Sequence, residues 1–145
     1  MLSFGLGHDD ECFRAVNNKI LIVDDDAAVR KLLVLRLQQS GYDTIEAVTN
    51  HEAINQARAT RPNIILMELA MLGDTAGEAI ALLKADPLTR DIPVIAVAAS
   101  LHGVLVDRAI AAGAAEILYK PVNWKWLDLV LQRHLSYQAP SISKI

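Results

Sequence analysis

Charged residues stand directly after three short apolar segments of this 145-residue sequence. Asp24, Asp25 and Asp26 follow KILIV, Glu68 follows IILM, and Lys120 follows EILY. Clustered carboxylates repel one another unless a cation neutralises them, and oxygen ligands suit a hard divalent ion such as magnesium. If the three segments end at one place, these side chains would form a metal pocket with a lysine as a further counter-charge. Each acid taken alone could equally be a loop residue or a helix N-cap.

The elements that would position these residues alternate between two hydrophobic patterns. Short apolar runs predict strands buried on both faces at 19–23, 44–48, 64–67, 92–99 and 116–119. Helical spacing of apolar residues predicts helices over about 27–40, 51–59, 75–85, 103–112 and 124–135, with Asn50 and Asn123 as N-caps of the second and the last.

Five strands that alternate with five helices predict an α/β fold, a three-layer doubly wound five-stranded parallel sheet. In such sheets, ligands bind outside the carboxyl ends of the strands. The acids and the lysine follow the strands at that same edge, which favours one shared site. We expect an extension over 1–18, a domain over 19–136 and a tail over 137–145.

Composition excludes several classes of protein. Seventeen acids against 14 lysines and arginines give a net charge of -3, which argues against a basic nucleic-acid interface. The sequence has no run of the roughly 18 apolar residues that a membrane span needs. A single cysteine rules out an internal disulfide framework, and the N-terminus lacks the basic region of a signal peptide. We therefore expect a cytoplasmic domain without nucleic-acid or membrane partners.

Four segments in order resemble one family. They are ILIVDDD, PNIILMEL, ALLKADPLTRDIPVIAVAA and AAGAAEILYKPV, within about Lys19 to Leu135. Together they resemble the response-regulator receiver domains of two-component signalling. The resemblance implies a flavodoxin-like receiver fold and no enzyme activity towards a metabolite. It also implies transfer of a phosphoryl group from the phosphohistidine of a histidine kinase to an aspartate, with Mg²⁺ bound beside it.

The residues at the family's metal and phosphoryl positions match only in part. By this resemblance, Asp24 and Asp25 occupy the positions of the acidic metal-binding pair, and Lys120 that of the lysine that contacts the phosphoryl group. Glu68 stands where the family has its phosphoacceptor aspartate, which is also a metal ligand. Ala98 stands where the family has a Thr or Ser that bonds the phosphoryl oxygen. The resemblance thus retains the metal positions and leaves Mg²⁺ binding open.

Two further positions depart from the family pattern. Ile117 occupies the position where an aromatic switch residue is common, and Leu72 replaces the proline that usually follows the acceptor. A conformational switch needs a contact that differs between two states. The methyl group of Ala98 cannot make the hydrogen bond to a phosphoryl group that a Thr or Ser makes. Two residues that usually couple the phosphorylation site to the protein surface, the Thr or Ser and the aromatic residue, are therefore missing.

The exchange of aspartate for glutamate at position 68 bears most directly on activity. One extra methylene moves the carboxylate oxygens by roughly 1.3–1.5 Å, and a misplacement near 1 Å can cost about a hundredfold in rate. We predict an atypical, stand-alone pseudo-receiver that acts by protein–protein interaction. The extra reach of Glu68 could bring its carboxylate closer to Lys120, where it would partly mimic the phosphorylated state, and the sequence leaves open whether it does. The alternative is a working phosphoacceptor that uses Glu68 or Asp74. A small phosphate-ester hydrolase is a further alternative, but GxGxxG, Walker A and GxSxG motifs are absent from the sequence.

Two apolar segments suggest a surface for partners. Val104, Leu105 and Val106 are consecutive in the fourth helix, so they cannot all face the core. Trp124 and Trp126 are two residues apart in the fifth helix, so they cannot share a face. We expect a histidine kinase or another signalling protein as partner. A homodimer through the face of the fourth helix, fifth strand and fifth helix is a second hypothesis, and local packing of these residues is its alternative.

Overall fold

The computed structural model describes residues 18–71, 75–99 and 103–138, with side chains described through residue 135. The strands are β1 (Lys19–Val23), β2 (Asp43–Ala47), β3 (Ile64–Glu68), β4 (Val94–Ala98) and β5 (Glu116–Tyr119). The helices are α1 (Ala27–Gln39), α2 (Asn50–Thr60), α3 (Ala76–Ala85), α4 (Gly103–Ala112) and α5 (Trp124–Gln138).

The strands form one parallel sheet in the order β2-β1-β3-β4-β5. Val23 of β1 lies opposite Ala47 on one side and Met67 on the other. Glu68 lies opposite Val97 in β4, and the last pair of the β4–β5 ladder ends on Tyr119. The predicted α/β fold is confirmed, and the carboxyl ends of β1, β3 and β5 lie along one edge of the sheet.

Alternate strand residues enter two separate cores, because side chains of a strand point to opposite faces in turn. One core lies under α2, α3 and α4 and contains Leu21, Val23, Ile65, Met67, Ala96 and Ala98. The other lies under α1 and α5 and contains Ile20, Ile22, Ile64, Leu66, Val97 and Leu118. The sheet is therefore the middle layer of three.

The N-cap predicted for the second helix is wrong by one residue. Thr49 is the cap, with extended φ and ψ of -134° and 161°, and Asn50 is the first, buried residue of α2. The Thr49 hydroxyl accepts a hydrogen bond from the amide of Glu52 at 3.0 Å, and the Glu52 carboxylate accepts one from the Val48 amide at 2.7 Å. A glutamate three residues after a threonine favours this reciprocal capping. Asn123 does cap α5, by accepting from the amide of Trp126 at 2.9 Å.

Other boundaries shift by a few residues. β4 is shorter than predicted, since Ile92 donates its amide to the carbonyl of Thr89 in a turn and Pro93 precedes the strand. α5 extends beyond the predicted end at Leu135 to Gln138, because no Gly or Pro interrupts the helix there. The expected tail boundary at 137 therefore falls inside a helix. Residues 1–17 and 139–145 lie outside the described part of the chain.

The apolar segments of α4 and α5 divide between core and surface. Val104 is 64% exposed and Val106 is buried, with Leu105 packed between them against the first core. Trp126 is 49% exposed, whereas Trp124 packs against the core under α1 and α5. The expectation that these residues cannot all face the core is confirmed. Across the described ranges, every helix is too short or too polar to cross a bilayer.

Candidate functional site

Asp24 and Glu68 lie on the same face of the sheet. Asp24 comes two residues after Ile22, and Glu68 two residues after Leu66. Both of these apolar residues enter the core under α1 and α5, so the two carboxylates point to that face as well. Both carboxylates are buried, with 5% and 4% of their residues' surfaces exposed. Burial of two acids side by side is costly unless each is hydrogen-bonded or paired.

Glu68 meets this requirement with two partners. One carboxylate oxygen, Oε2, accepts a hydrogen bond from the amide of Ala70 at 2.9 Å. The other, Oε1, forms an ion pair with the ammonium of Lys120. The amide of Lys120 donates to the carbonyl of Ala98 at 2.9 Å, which fixes the start of the lysine at the end of β5. The predicted approach of Glu68 to Lys120 is therefore present.

Asp24 is held by its own turn. Its Oδ1 accepts a hydrogen bond from the amide of Asp26 at 2.9 Å, and its carbonyl accepts one from the guanidinium of Arg30 at 2.8 Å. Burial raises the pKa of Asp24 above its ordinary value, and the charge of Glu68 adds to this effect. The Asp26 hydrogen bond and the Lys120 ammonium act in the opposite direction on that pKa. Arg30, which also pairs with Glu46, is a contributor that sequence reasoning missed.

The three acids that follow β1 have different roles. Asp24 is buried, Asp25 is exposed, and Asp26 caps α1 by accepting hydrogen bonds from the amides of Ala28 and Val29. The alternative that an acid after a strand is an N-cap therefore applies to Asp26. The run DDD in the sequence does not distinguish the three, because only the turn geometry separates them.

The residues expected to hold magnesium do not form a three-carboxylate site in this arrangement. Both oxygens of Glu68 are engaged, by an amide and by an ammonium. Within the described ranges, no group of three His, Cys, Asp or Glu side chains is placed to hold a metal ion. The Lys120 ammonium supplies the positive charge beside Glu68. Asp24 lies close enough to both charges for Glu68 to raise its pKa and for Lys120 to lower it.

Ala98 and Ile117 lie on the other side of the sheet from these charges. Ala98 is fully buried in the core under α2, α3 and α4, and Ile117 packs against the same core. Both side chains are aliphatic, so neither can form a hydrogen bond with a group bound at the site. Leu72 and Asp74, the other two positions that sequence analysis singled out, lie outside the described residues.

An apolar cavity of about 370 Å³ adjoins the charged residues. Its polar end is formed by Asp24, Glu68 and Lys120, and its walls come from α1, α5 and the sheet. Leu32 of α1 is 55% exposed and lines this cavity. Sequence periodicity could not reveal the cavity, because it depends on the distance between α1 and α5.

The family assignment follows from this fold and these strand ends together with sequence comparison. Residues 20–132 match the family of the response regulator receiver domain. The chain belongs to this receiver family.

Within it, the chain resembles the phosphate regulon transcriptional regulatory protein PhoB of Klebsiella pneumoniae, with 33% identity over 109 residues, 75% of this chain and 48% of that protein. The DNA-binding response regulator MtrA of Mycobacterium leprae is 29% identical over 112 residues, 77% of this chain and 48% of that protein. The chain spans about half the length of the curated relatives it matches.

Solved receiver structures share the fold. The receiver domain of a histidine kinase from Syntrophus aciditrophicus is 29% identical with a TM-score of 0.76, over 82% of this chain and 90% of that one. The chemotaxis protein CheY4 of Vibrio cholerae is 26% identical with a TM-score of 0.75, over 81% of this chain and 98% of that one. The receiver domain PA1611REC of Pseudomonas aeruginosa, solved with magnesium in its active-site cleft, is 24% identical with a TM-score of 0.77 over 83% of this chain and 99% of that one. That last likeness shows the fold alone.

Proposed function

We propose that this receiver domain is atypical and acts in two-component signalling by binding a partner protein, with Glu68 not serving as an efficient phosphoacceptor. One observation carries the proposal: the buried carboxylate of Glu68 is engaged at both oxygens, by the Ala70 amide and the Lys120 ammonium. The ammonium and the amide fix the position of this carboxylate and lower its nucleophilicity, and the extra methylene displaces it from the place of an aspartate. The ion pair stands in for the contact between a lysine and a phosphoryl group that the family resemblance implies.

The loss of the hydroxyl at position 98 supports the same proposal. A phosphoryl group on residue 68 could not accept a hydrogen bond from the side chain at position 98, because alanine has no hydroxyl. Ile117 has no polar side-chain group either. Without a contact that differs between states, phosphorylation has little free energy with which to shift a conformational equilibrium. The Glu68–Lys120 pair thus holds one conformation of the strand ends.

Magnesium has a reduced role in this proposal. Asp24 and Asp25 with bound waters could still supply the oxygen ligands that Mg²⁺ prefers. Glu68 would have to release Lys120 before it could become a third ligand. We therefore expect weak binding of Mg²⁺, and tighter binding when Lys120 is replaced by methionine, measured by titration calorimetry. Equal affinity of the two proteins for Mg²⁺ would show that the ion pair does not compete with the metal.

Phosphodonor labelling tests the proposed function. The protein is incubated with acetyl phosphate and Mg²⁺, and intact mass spectrometry follows the gain of a phosphoryl group. We expect little or no labelling, with the same result for Glu68→Gln. Stoichiometric labelling that Glu68→Gln abolishes would overturn the proposal in favour of a working phosphoacceptor. Labelling that survives Glu68→Gln would point to another acid, such as Asp74.

The partner is a histidine kinase or another signalling protein, and the exposed apolar side chains of α4, β5 and α5 are the proposed contact surface. This surface comprises Val104, Ile110, Tyr119 and Trp126, each about half exposed or more. Aromatic residues are enriched at protein interfaces. Light scattering over a range of concentrations tests the homodimer version. A monomer mass at every concentration would leave only a different protein as the partner for this surface.

A further inference from the structure

The cavity beside the charged strand ends lies between two helices and has apolar walls. Val29, Leu32 and Leu33 of α1 face Trp124 and Leu127 of α5 across it. Its volume of about 370 Å³ falls within the range of roughly 300–1,000 Å³ that small-molecule pockets occupy. The walls therefore suit an alkyl chain or an aromatic ring.

The polar end of the cavity carries a net negative charge. Asp24 and Glu68 contribute two negative charges and Lys120 one positive charge. The Lys120 ammonium is already paired with Glu68, whereas the Asp24 carboxylate accepts a hydrogen bond from the neutral Asp26 amide at its Oδ1. Asp24 is more than nine-tenths buried. A charge-assisted hydrogen bond to a cation would compensate its loss of water.

We propose that this cavity binds a small organic ammonium ion, a primary alkylamine or arylalkylamine, with its nitrogen at Asp24 and its apolar tail between α1 and α5. An anionic amphiphile would have to sit beside Asp24 and break the Glu68–Lys120 pair. A neutral one would leave the Asp24 carboxylate with only the Asp26 amide and a share of the Lys120 charge, which also pairs with Glu68. The proposal does not depend on whether Glu68 accepts a phosphoryl group, so the labelling experiment and the binding experiment can fail separately.

Tryptophan fluorescence provides the measurement. The chain has two tryptophans, and only Trp124 lines the cavity, so the Trp126→Phe protein reports on the site alone. n-Octylammonium, n-octanol and n-octanoate are titrated into it. We expect saturable binding of n-octylammonium, at least about tenfold weaker binding of n-octanol, and the weakest binding for n-octanoate, since a charged hydrogen bond is worth roughly that much.

Matched variants separate the charge from the apolar wall. Asp24→Asn should weaken n-octylammonium binding about tenfold or more. Asp43→Asn, the same change at an exposed residue at the start of β2, should leave the affinity unchanged. Leu32→Ser should weaken binding about fivefold through lost apolar contact. Leu35→Ser is its control, because Leu35 is 49% exposed on the same helix but does not line the cavity.

Three results would overturn the proposal. They are the absence of saturation by n-octylammonium into the millimolar range, binding of n-octanoate as tight as that of n-octylammonium, and equal effects of Leu32→Ser and Leu35→Ser. Urea unfolding of each variant verifies that it is folded before binding is measured. Leu32 is more than half exposed, so its replacement tests the cavity even if Asp24→Asn proves unstable.

Discussion

Two neighbouring regions of the strand-end edge are held by different interactions. The turn after β1 is local: Asp24 accepts from the Asp26 amide, and Asp26 accepts from the first amides of α1. The region where β3 and β5 end is held mainly by contacts between residues far apart in sequence, above all the ion pair between Glu68 and Lys120. The comparison shows that the carboxylates of Asp24 and Asp26 accept hydrogen bonds mainly within their own turn, whereas the Glu68 carboxylate pairs with a lysine far away in the sequence.

The largest expected effect comes from shortening the side chain at position 68. Glu68→Asp moves the carboxylate back by one methylene, away from Lys120, and frees it to act as a nucleophile. We expect labelling by acetyl phosphate and Mg²⁺ to become about a hundredfold faster than in the unaltered protein, followed by intact mass. Glu46→Asp, the same change at a glutamate paired with Arg30, should have no effect. Equal labelling rates for the unaltered protein and Glu68→Asp would mean that side-chain length does not limit phosphorylation.

Removal of the lysine should come next in size. Lys120→Met leaves the Glu68 carboxylate buried without its cation, and we expect a loss of about 1–3 kcal/mol in the free energy of unfolding by urea. The loss stays below that of a fully buried pair, because the Lys120 side chain is 42% exposed. Adding Glu68→Gln should recover part of it.

The control for this prediction is a more exposed pair. Arg58 pairs with Asp86 at 3.0 Å, and its side chain is 55% exposed. Arg58→Met should cost about 0–1 kcal/mol, as exposed pairs do. If Lys120→Met cost no more than Arg58→Met, Glu68 would not depend on Lys120, and the contrast between the two strand-end regions would disappear.

Loss of the local cap should have a moderate effect. Asp26→Ala removes the acceptor for the amides of Ala28 and Val29 and should lower the free energy of unfolding by about 1 kcal/mol. Asp26→Asn keeps an acceptor oxygen and should retain most of the stability. A loss of the same size in both variants would indicate that the charge of Asp26, and not its cap, stabilises the turn.

The smallest expected effect is a pH dependence at Asp24. Burial raises the pKa of Asp24 above its ordinary value of 3.8, so the native state holds this proton to higher pH than the unfolded state does. The contribution of Asp24 to stability therefore falls as pH rises from 3.8 through the raised pKa. The effect is small because the Asp26 amide and Lys120 oppose it.

Urea unfolding of the unaltered protein and Asp24→Asn over a pH series measures this dependence. The free energy of unfolding of the unaltered protein, relative to that of the variant, should decline across that interval. A relative stability that rises with pH would mean that the interactions of Asp24 with its partners outweigh its burial.

Much of this architecture could be predicted from the sequence. Runs such as KILIV and EILY have the length and the β-branched residues of buried strands, and α4 and β5 have the predicted bounds. Errors occurred where two local signals competed, as when Thr49 with Glu52 provided a better cap than Asn50. Residue types also predicted which charges would meet, because parallel strands end at one edge.

What the sequence alone determined is the fold, the family and the identity of the residues at the strand ends, since these depend on local pattern and order along the chain. The tertiary structure decided how those residues are used. It engaged both oxygens of Glu68, separated the roles of Asp24, Asp25 and Asp26, and placed Ala98 in the opposite core. It also opened the cavity between α1 and α5. These outcomes rest on distances between residues far apart in sequence, which no local pattern encodes.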